Sequence, residues 1–421
     1  MCFFSRHKSE TNRSRPKTFW YPPSVVTFFY LLILEQLLQG LSSLWQGLQW
    51  LKMARTRLSA STGFYAPRVA VICPIKGMER DLEANLIALT QFDYPQYEIF
   101  LAIATADDPA YWLLERIGTQ SKRAVHVVRA GRAVDCSDKV HNLAAAVGQV
   151  NDQFDVLVFT DSDGRPPRRW LSRLVAPLAD NRIGAVTTFR WLFPSQKGFW
   201  SALASAWNAS AATYLGEHGH NFCWGGGTAI TRQRFDQLRI LDSWRGAVSD
   251  DYALTRALQS NGLAIEFVPE CLVPSRCVLD ATTFFEFTNR QFVITRVYAP
   301  KLWLTALVGH GFYCAAILGG LAAWFINSVE GLPSLEFLVL LSLPPIFAAA
   351  KGVLRLIAAL ELLPEWRKQL LGQGWVWVLL APLVPFVYVY NSLAAMFTRK
   401  ITWRGIRYEL VSPFQTKILA R

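Results

Sequence analysis

Long apolar runs stand at both ends of this chain, and the stretch between Pro67 and Pro300 contains none. A helix needs about 20 mostly apolar residues to cross a bilayer, and residues 25–48, 303–326, 335–363 and 375–397 all reach that length. The run 303–326 is the cleanest. Residues 25–48 carry Glu35, Gln36, Gln39 and Gln46, while 375–397 contains Pro382 and Pro385, which predict a kink. Residues 335–363 hold Pro344, Pro345, Lys351 and Arg355, the pattern of a shorter span followed by an interfacial helix. Composition agrees with a membrane protein: 52% of residues are hydrophobic, 18% are charged, and there are 16 Trp and 27 Phe.

Charge sets orientation. The loop 327–336 has no Lys or Arg and reads as external, whereas Arg367 and Lys368 read as cytosolic, which places the middle of the chain in the cytosol. Full crossing by 375–397 or by 25–48 would conflict with the basic tails beyond them, and a re-entrant or interfacial course would remove the conflict. The net charge of +12 sits largely in those tails (Arg6, Lys8, Arg13, Arg15, Lys17; Arg399, Lys400, Arg404, Arg407, Lys417, Arg421) and beside the membrane segments. Anionic headgroups attract such residues, and the absence of a dense basic tract or recognition motif argues against nucleic acid. The seven cysteines are scattered without a CxxC pair, so reduced, mostly buried thiols are expected rather than disulfides or zinc. No secretory signal is read at the N-terminus, whose apolar run follows a basic tail without a small-residue cleavage site. The expected division is a basic tail and membrane helix over 1–65, a cytosolic domain over 66–300, and a membrane region with a basic tail over 301–421.

Within 66–300, short β-prone runs (69–73, 99–104, 156–160) alternate with helical patterns (82–90, 111–117, 140–147). That alternation predicts an α/β fold, a mostly parallel sheet with flanking helices that gathers ligands at the carboxyl ends of its strands. One such end is Val156-Leu-Val-Phe-Thr-Asp161-Ser-Asp163. An apolar strand delivers two carboxylates to a turn, where a divalent cation would find oxygen ligands and bridge to a diphosphate. A second signal is Ser249-Asp250-Asp251-Tyr252 ahead of an apolar-periodic helix. Its carboxylates either cap that helix and complement its dipole, or one of them serves as a general base.

Seven stretches in register carry a resemblance: Cys73-Pro-Ile-Lys76-Gly-Met-Glu79, Phe92-Asp-Tyr-Pro-Gln-Tyr-Glu98, Ala106-Asp107-Asp108-Pro-Ala110, Asp138-Lys139-Val-His-Asn142, Asp161-Ser-Asp163, Phe222-Cys-Trp-Gly225-Gly-Gly227 and Ser249-Asp-Asp251-Tyr. Together they resemble the ceramide glucosyltransferase family, among the GT-A, family-2 and family-21 type inverting enzymes. The resemblance implies a UDP-sugar donor, a divalent cation (Mn or Mg) and a membrane lipid acceptor, ceramide-like or diacylglycerol-like, with glucose the first candidate sugar. It places Lys76, Asp107 or Asp108, and Lys139 around the nucleotide, Asp161 and Asp163 around diphosphate and metal, and Asp251 as the base, with Asp250 beside it. Lys76 and Lys139 also fit solvated loop cations, and Asp107 and Asp108, preceding Pro109, also fit a turn.

Two departures stand out. Thr105 occupies a place where relatives commonly carry a further acidic residue, and the usual Gln/Arg-x-x-Arg-Trp signature is missing. Asn289-Arg290-Gln291-Phe-Val-Ile-Thr-Arg296 stands there instead, where Gln291 and Arg296 offer an amide and a cation for the diphosphate, or Arg296 is an ordinary juxtamembrane arginine. His218 and His220 lack a third ligand nearby and fit an acceptor-side loop, while Gly225 to Gly227 allow either a turn or close approach to a ligand. The rival readings are a processive polysaccharide synthase, disfavoured by the small membrane part and the missing signature, and a non-enzymatic nucleotide-sensing membrane protein, disfavoured by the ordered aspartates.

Overall fold

The computed structural model describes residues 23–59, 65–195, 198–217, 221–330 and 335–421. Its strands are β1 (Val69–Ile75), β2 (Tyr97–Ile103), β3 (Val125–Arg129), β4 (Val156–Thr160), β5 (Ile183–Thr187), β6 (Arg190–Pro194), β7 (Gly227–Thr231), β8 (Ala264–Phe267), β9 (Val273–Cys277), β10 (Lys400–Trp403), β11 (Ile406–Ser412) and β12 (Gln415–Ala420). Seven form one sheet in the order β3-β2-β1-β4-β7-β5-β8, parallel except that β7 runs against β4 and β5. Strand direction of growth reverses between β1 and β4, so their carboxyl ends open a crevice at the middle of the sheet.

Alternation along the strands explains why the sheet is buried on both faces. Val69, Val71, Cys73, Val156 and Val158 enter one apolar core, and Ala70, Ile72, Leu157 and Phe159 enter the other. Helices cover each face, which is why these runs are apolar throughout rather than half polar. All six described cysteines are free and buried. The first core continues into Trp50, Leu362, Trp377 and Tyr388, so the membrane-side helices and the α/β domain share packing.

Among the described residues, Pro300–Phe325, Phe337–Leu362 and Gly374–Phe397 are long and apolar enough to cross a membrane. The polar side chains noted in 25–48 set the first helix, Pro23–Ser59, apart from that group. It nevertheless lies along Leu335–Leu362, with Gly40 against Phe347, Gly47 against Leu354 and an Arg55–Glu361 ion pair of 2.7 Å. The expected break at Pro344 and Pro345 does not occur: Leu335–Leu362 is one helix with both prolines inside. Its cations find partners, Lys351 at 2.6 Å from the Ser43 hydroxyl and Arg355 at 3.2 Å from that of Thr213. Those contacts and the neighbouring helix hold the two halves in line despite the missing proline N–H groups.

The segment Gly374–Phe397 does bend, through Ala381–Leu383. It begins on the α/β domain, where Gln373 donates to the Pro194 carbonyl at 2.9 Å and the Trp377 indole to Ser205 at 3.0 Å. At the bend the Tyr313 hydroxyl donates to the Pro382 carbonyl at 3.2 Å, about 20 Å along its helix from Pro300. The return limb, Val384–Phe397, then leads back to β10 against the domain.

The residues after Phe397 are not a free basic tail. They form an antiparallel meander, β10-β11-β12, laid on the α/β domain. Ile401, Ile406, Tyr408 and Leu410 alternate inward, and Arg404-Gly405 make the turn with φ of 51° and 79°. Positive φ at both turn positions suits a tight hairpin, and Gly405 adopts it without steric cost.

Candidate active site

A cavity of about 780 Å³ opens at the β1–β4 crevice. Of the residues expected at the site, Lys76, Lys139, Asp161, Asp163, Asp250, Asp251 and Gln291 all line it. Asp161 and Asp163 follow β4. Lys139 belongs to the first turn of Asp138–Gln149, whose N-cap is Ser137. Ser249 caps Asp250–Ser260, accepting from the Tyr252 N–H at 3.3 Å and sharing it with the Asp251 carboxylate, and both aspartates line the cavity.

Lys139 organises the charges. Its ammonium stands 2.9 Å from Asp161 and 3.2 Å from Asp250. Burial alone would lower the lysine pKa, but the field of Asp161, Asp250 and Asp251 outweighs it and raises it, fixing the positive charge. Burial pushes Asp161 up, yet Lys139 more than compensates and holds it below the usual carboxylate range. Asp250 is pushed up to about 6 by burial, opposed by Lys139 and aided by Asp251 and Asp161. Glycines make room for this cluster: a Cβ at Gly225 would lie 2.5 Å from Asp250 and 2.6 Å from Lys139, and one at Gly226 would lie 2.6 Å from Asp161. The close approach is therefore to the protein's own charges.

Asp251 is placed differently. Its carboxylate accepts from the Tyr252 N–H at 2.8 Å, from the Ser249 hydroxyl, and from the Gly225 N–H at a longer 3.3 Å. No lysine or arginine among the described residues pairs with it, so one oxygen is only weakly engaged.

Asp163 is only partly engaged. One carboxylate oxygen, Oδ1, is buried without a hydrogen-bond partner, and the other meets Arg190 at 3.4 Å. Among the described residues no group of three or more His, Cys, Asp or Glu forms a closed metal cage. Two carboxylates with open oxygens fit a hard cation that takes its remaining ligands from a diphosphate and water.

The other expected residues fall elsewhere. Asp108 is spent on the backbone, accepting from the Gly77 N–H at 3.0 Å and the Ala110 N–H at 2.9 Å, and neither it nor the exposed Asp107 lines the cavity. Arg296 donates to the Ala395 carbonyl at 2.9 Å and lies over Trp303. Five residues past Gln291 is about 140° around the helix, so the two cannot share a face. Phe287, Arg290, Gln291 and Ile294 do share one and line the cavity. His218 and His220 lie outside the described residues.

Six arginines line the cavity and none was assigned from sequence; three of them are Arg190 on β6, Arg290, and Arg404 in the β10–β11 turn. The helical stripe with Phe287 and Ile294 signals Arg290, and period-two alternation around Arg404-Gly405 signals the hairpin. No local pattern marks Arg190.

A crevice at the switch point of a mostly parallel sheet, holding an acidic pair after β4, a buried lysine and a second acidic pair, defines a GT-A-like glycosyltransferase, here joined to apolar helices. The chain belongs to Glycosyl transferase family 21, which matches residues 29–413. It is 27% identical over 138 residues to a ceramide glucosyltransferase of Gibberella zeae, a match spanning 30% of this chain and about a quarter (26%) of that relative's length. Among solved structures, the mannosyltransferase PcManGT from Pyrobaculum calidifontis, in complex with GDP-Man and Mn²⁺, superposes with a TM-score of 0.47 at 17% identity, over 88% of this chain and 98% of that one. Glucosyl-3-phosphoglycerate synthase from Mycobacterium tuberculosis, with Mn²⁺ and UDP-glucose, gives 0.37 at 16% identity over 58% and 82%.

Proposed function

We propose that this protein transfers a hexose, glucose as the first candidate, from a UDP-sugar to the hydroxyl of a ceramide-like or diacylglycerol-like membrane lipid, with inversion. The observation that carries the reading is one cavity with two kinds of wall. Lys139, Asp161 and Asp163 line it together with the apolar Leu279 and Ile294, the latter on the helix that packs against Pro300–Glu330. A sugar donor and an amphipathic acceptor fit that division.

In this mechanism Asp161 and Asp163 would hold a divalent cation, which when bound neutralises charge on the departing diphosphate. Lys139 supplies a fixed positive charge beside Asp161, kept in place by Asp250. Asp251 accepts the proton of the lipid hydroxyl at its weakly engaged oxygen. The oxygen–C1 bond forms as the bond from C1 to the diphosphate oxygen breaks on the opposite face, and the nucleoside diphosphate leaves with the bonding pair.

The α/β domain faces the cytosol in this reading. Arg57, Lys301, Arg367, Lys368 and Arg399 all adjoin the domain side, and the 327–336 connection has none. The first helix lies along Leu335–Leu362, with Leu31, Leu34, Leu38, Leu41 and Trp45 exposed for lipid contact. Membranes carrying the protein, incubated with a panel of radiolabelled UDP-sugars, should move label from UDP-glucose into the organic extract. Label appearing only in protein or soluble glycan would refute a lipid acceptor.

A further inference from the structure

Arg290 is an unusual residue for the core of an enzyme. It is partly buried, and among the described residues no carboxylate stands within ion-pair distance of it. Its contacts are a long 3.4 Å hydrogen bond to the Thr402 carbonyl and the faces of Phe287 and Trp403, 5.6 and 5.5 Å from the ring centres. Withdrawing part of a guanidinium from water without a counter-anion is costly, so an unpaired one that lines a cavity suits an anion that arrives.

Two more arginines reach the same place from different parts of the chain. Arg190 meets Asp163 at only 3.4 Å and lies over the same Phe287 ring, 5.2 Å from its centre. Arg404 is held at the hairpin turn by an ion pair with Glu79 and a 3.3 Å hydrogen bond to the Lys76 carbonyl. Planar guanidinium groups recognise phosphoryl oxygens through paired N–H donors.

The meander that presents Arg404 is firmly seated. The Asp138 N–H donates to the Tyr408 hydroxyl at 3.3 Å, the Thr416 hydroxyl to the Gly246 carbonyl at 2.7 Å, and Arg421 pairs with Asp138 at 3.1 Å. Asp138 also pairs with Lys76 at 2.8 Å, so the meander is tied to the same loop that lines the polar end of the cavity.

We propose that Arg190, Arg290 and Arg404 form a phosphoryl-anion subsite beside Asp163, with the C-terminal meander supplying one of its three cations. The inference builds on the donor reading given above, in which the donor's diphosphate is the first source of that anion. A phosphorylated lipid headgroup would present the same oxygens.

The test uses the full chain in detergent with Mn²⁺, and measures equilibrium binding of uridine, UMP, UDP and inorganic pyrophosphate. Arg404→Gln and, independently, Arg290→Gln should weaken UDP and pyrophosphate by about tenfold to a hundredfold, with uridine changed less than about twofold. Arg404→Lys should recover part of the loss, and Arg407→Ala, exposed on β11 and outside the cavity, should match wild type. Undiminished binding of all four probes and of the vesicles described next, or equal loss for uridine and UDP, would overturn the subsite. Phosphatidylcholine vesicles with and without phosphatidic acid separate the sources. A loss confined to the phosphatidic acid vesicles supports the subsite on the acceptor side. Wild type that binds pyrophosphate but not UDP refutes the donor reading and supports the subsite.

Discussion

Asp251→Asn separates chemistry from binding. The structure sets the expected sizes. Asparagine retains one acceptor oxygen for the Tyr252 N–H and Ser249 hydroxyl contacts, and what it gives up is the 3.3 Å contact from the Gly225 N–H. A single long hydrogen bond contributes at most about 1 kcal/mol, so folding and donor affinity should be nearly unchanged. An amide cannot take the acceptor's proton. Loss of a general base slows the chemical step by about a hundredfold to ten-thousandfold, equivalent to about 2.7–5.4 kcal/mol in the barrier. Titration calorimetry reports donor binding, and a single-turnover assay reports transfer to lipid. Asp250→Asn should act the other way round, because Asp250 stands 3.2 Å from Lys139: weaker donor binding and a milder loss of rate. Wild-type turnover in Asp251→Asn, or loss of chemistry with intact donor affinity in Asp250→Asn, would refute the assignment of the base.

Three further outcomes follow from other contacts. Turnover should require Mn²⁺ or Mg²⁺ and be largely lost in Asp163→Ala, because the unpartnered Oδ1 is the oxygen a hard cation would use; full wild-type activity in excess EDTA would contradict it. Gly246→Ala should loosen the meander by about 1–2 kcal/mol or more, since φ is 70° there and a Cβ would lie 2.0 Å from the Phe414 carbonyl oxygen; limited proteolysis should then release a C-terminal peptide that wild type protects. Glu270 has its pKa raised by burial, against the pull of Arg57 and Arg173, and its Oε2 has no hydrogen-bond partner. The folded state therefore holds that proton to higher pH than the unfolded chain, and this group's contribution falls as pH rises above the unfolded value of about 4.3. Glu270→Gln should raise Tm by about 2 °C or more at pH 8 and have little effect near pH 4, as thermal melts would show.

The sequence makes the central sheet and the acidic cluster legible for a physical reason. β1, β2 and β4 are continuous apolar runs because both faces are covered, and Asp161 and Asp163 follow β4 directly, so local pattern and tertiary position coincide. Lys139 and Asp250 lie in separate first helical turns, and the resemblance rather than any local signal brought them together. Arg296 shows where spacing misleads: it is near Gln291 in sequence and on another face of the helix. Arg404 shows the opposite failure. More than 200 residues and the membrane-side helices separate it from Asp163, and only tertiary folding returns it to the cavity. Charge near the chain's end was read as attraction to headgroups, although the alternation of Ile401, Ile406, Tyr408 and Leu410 already described a small sheet with an inner face.

That return has a consequence for biogenesis. The wall formed by Trp403, Arg404 and Tyr408 is encoded after every membrane-side helix, so a ribosome that has finished the α/β domain has made only part of the cavity. The helices Pro300–Glu330 and Leu335–Leu362 must pack and the limb Val384–Phe397 must turn back before Arg404 can reach Glu79 and Lys76. A chain cut short before Trp403 would therefore hold a folded α/β domain whose cavity lacks one wall.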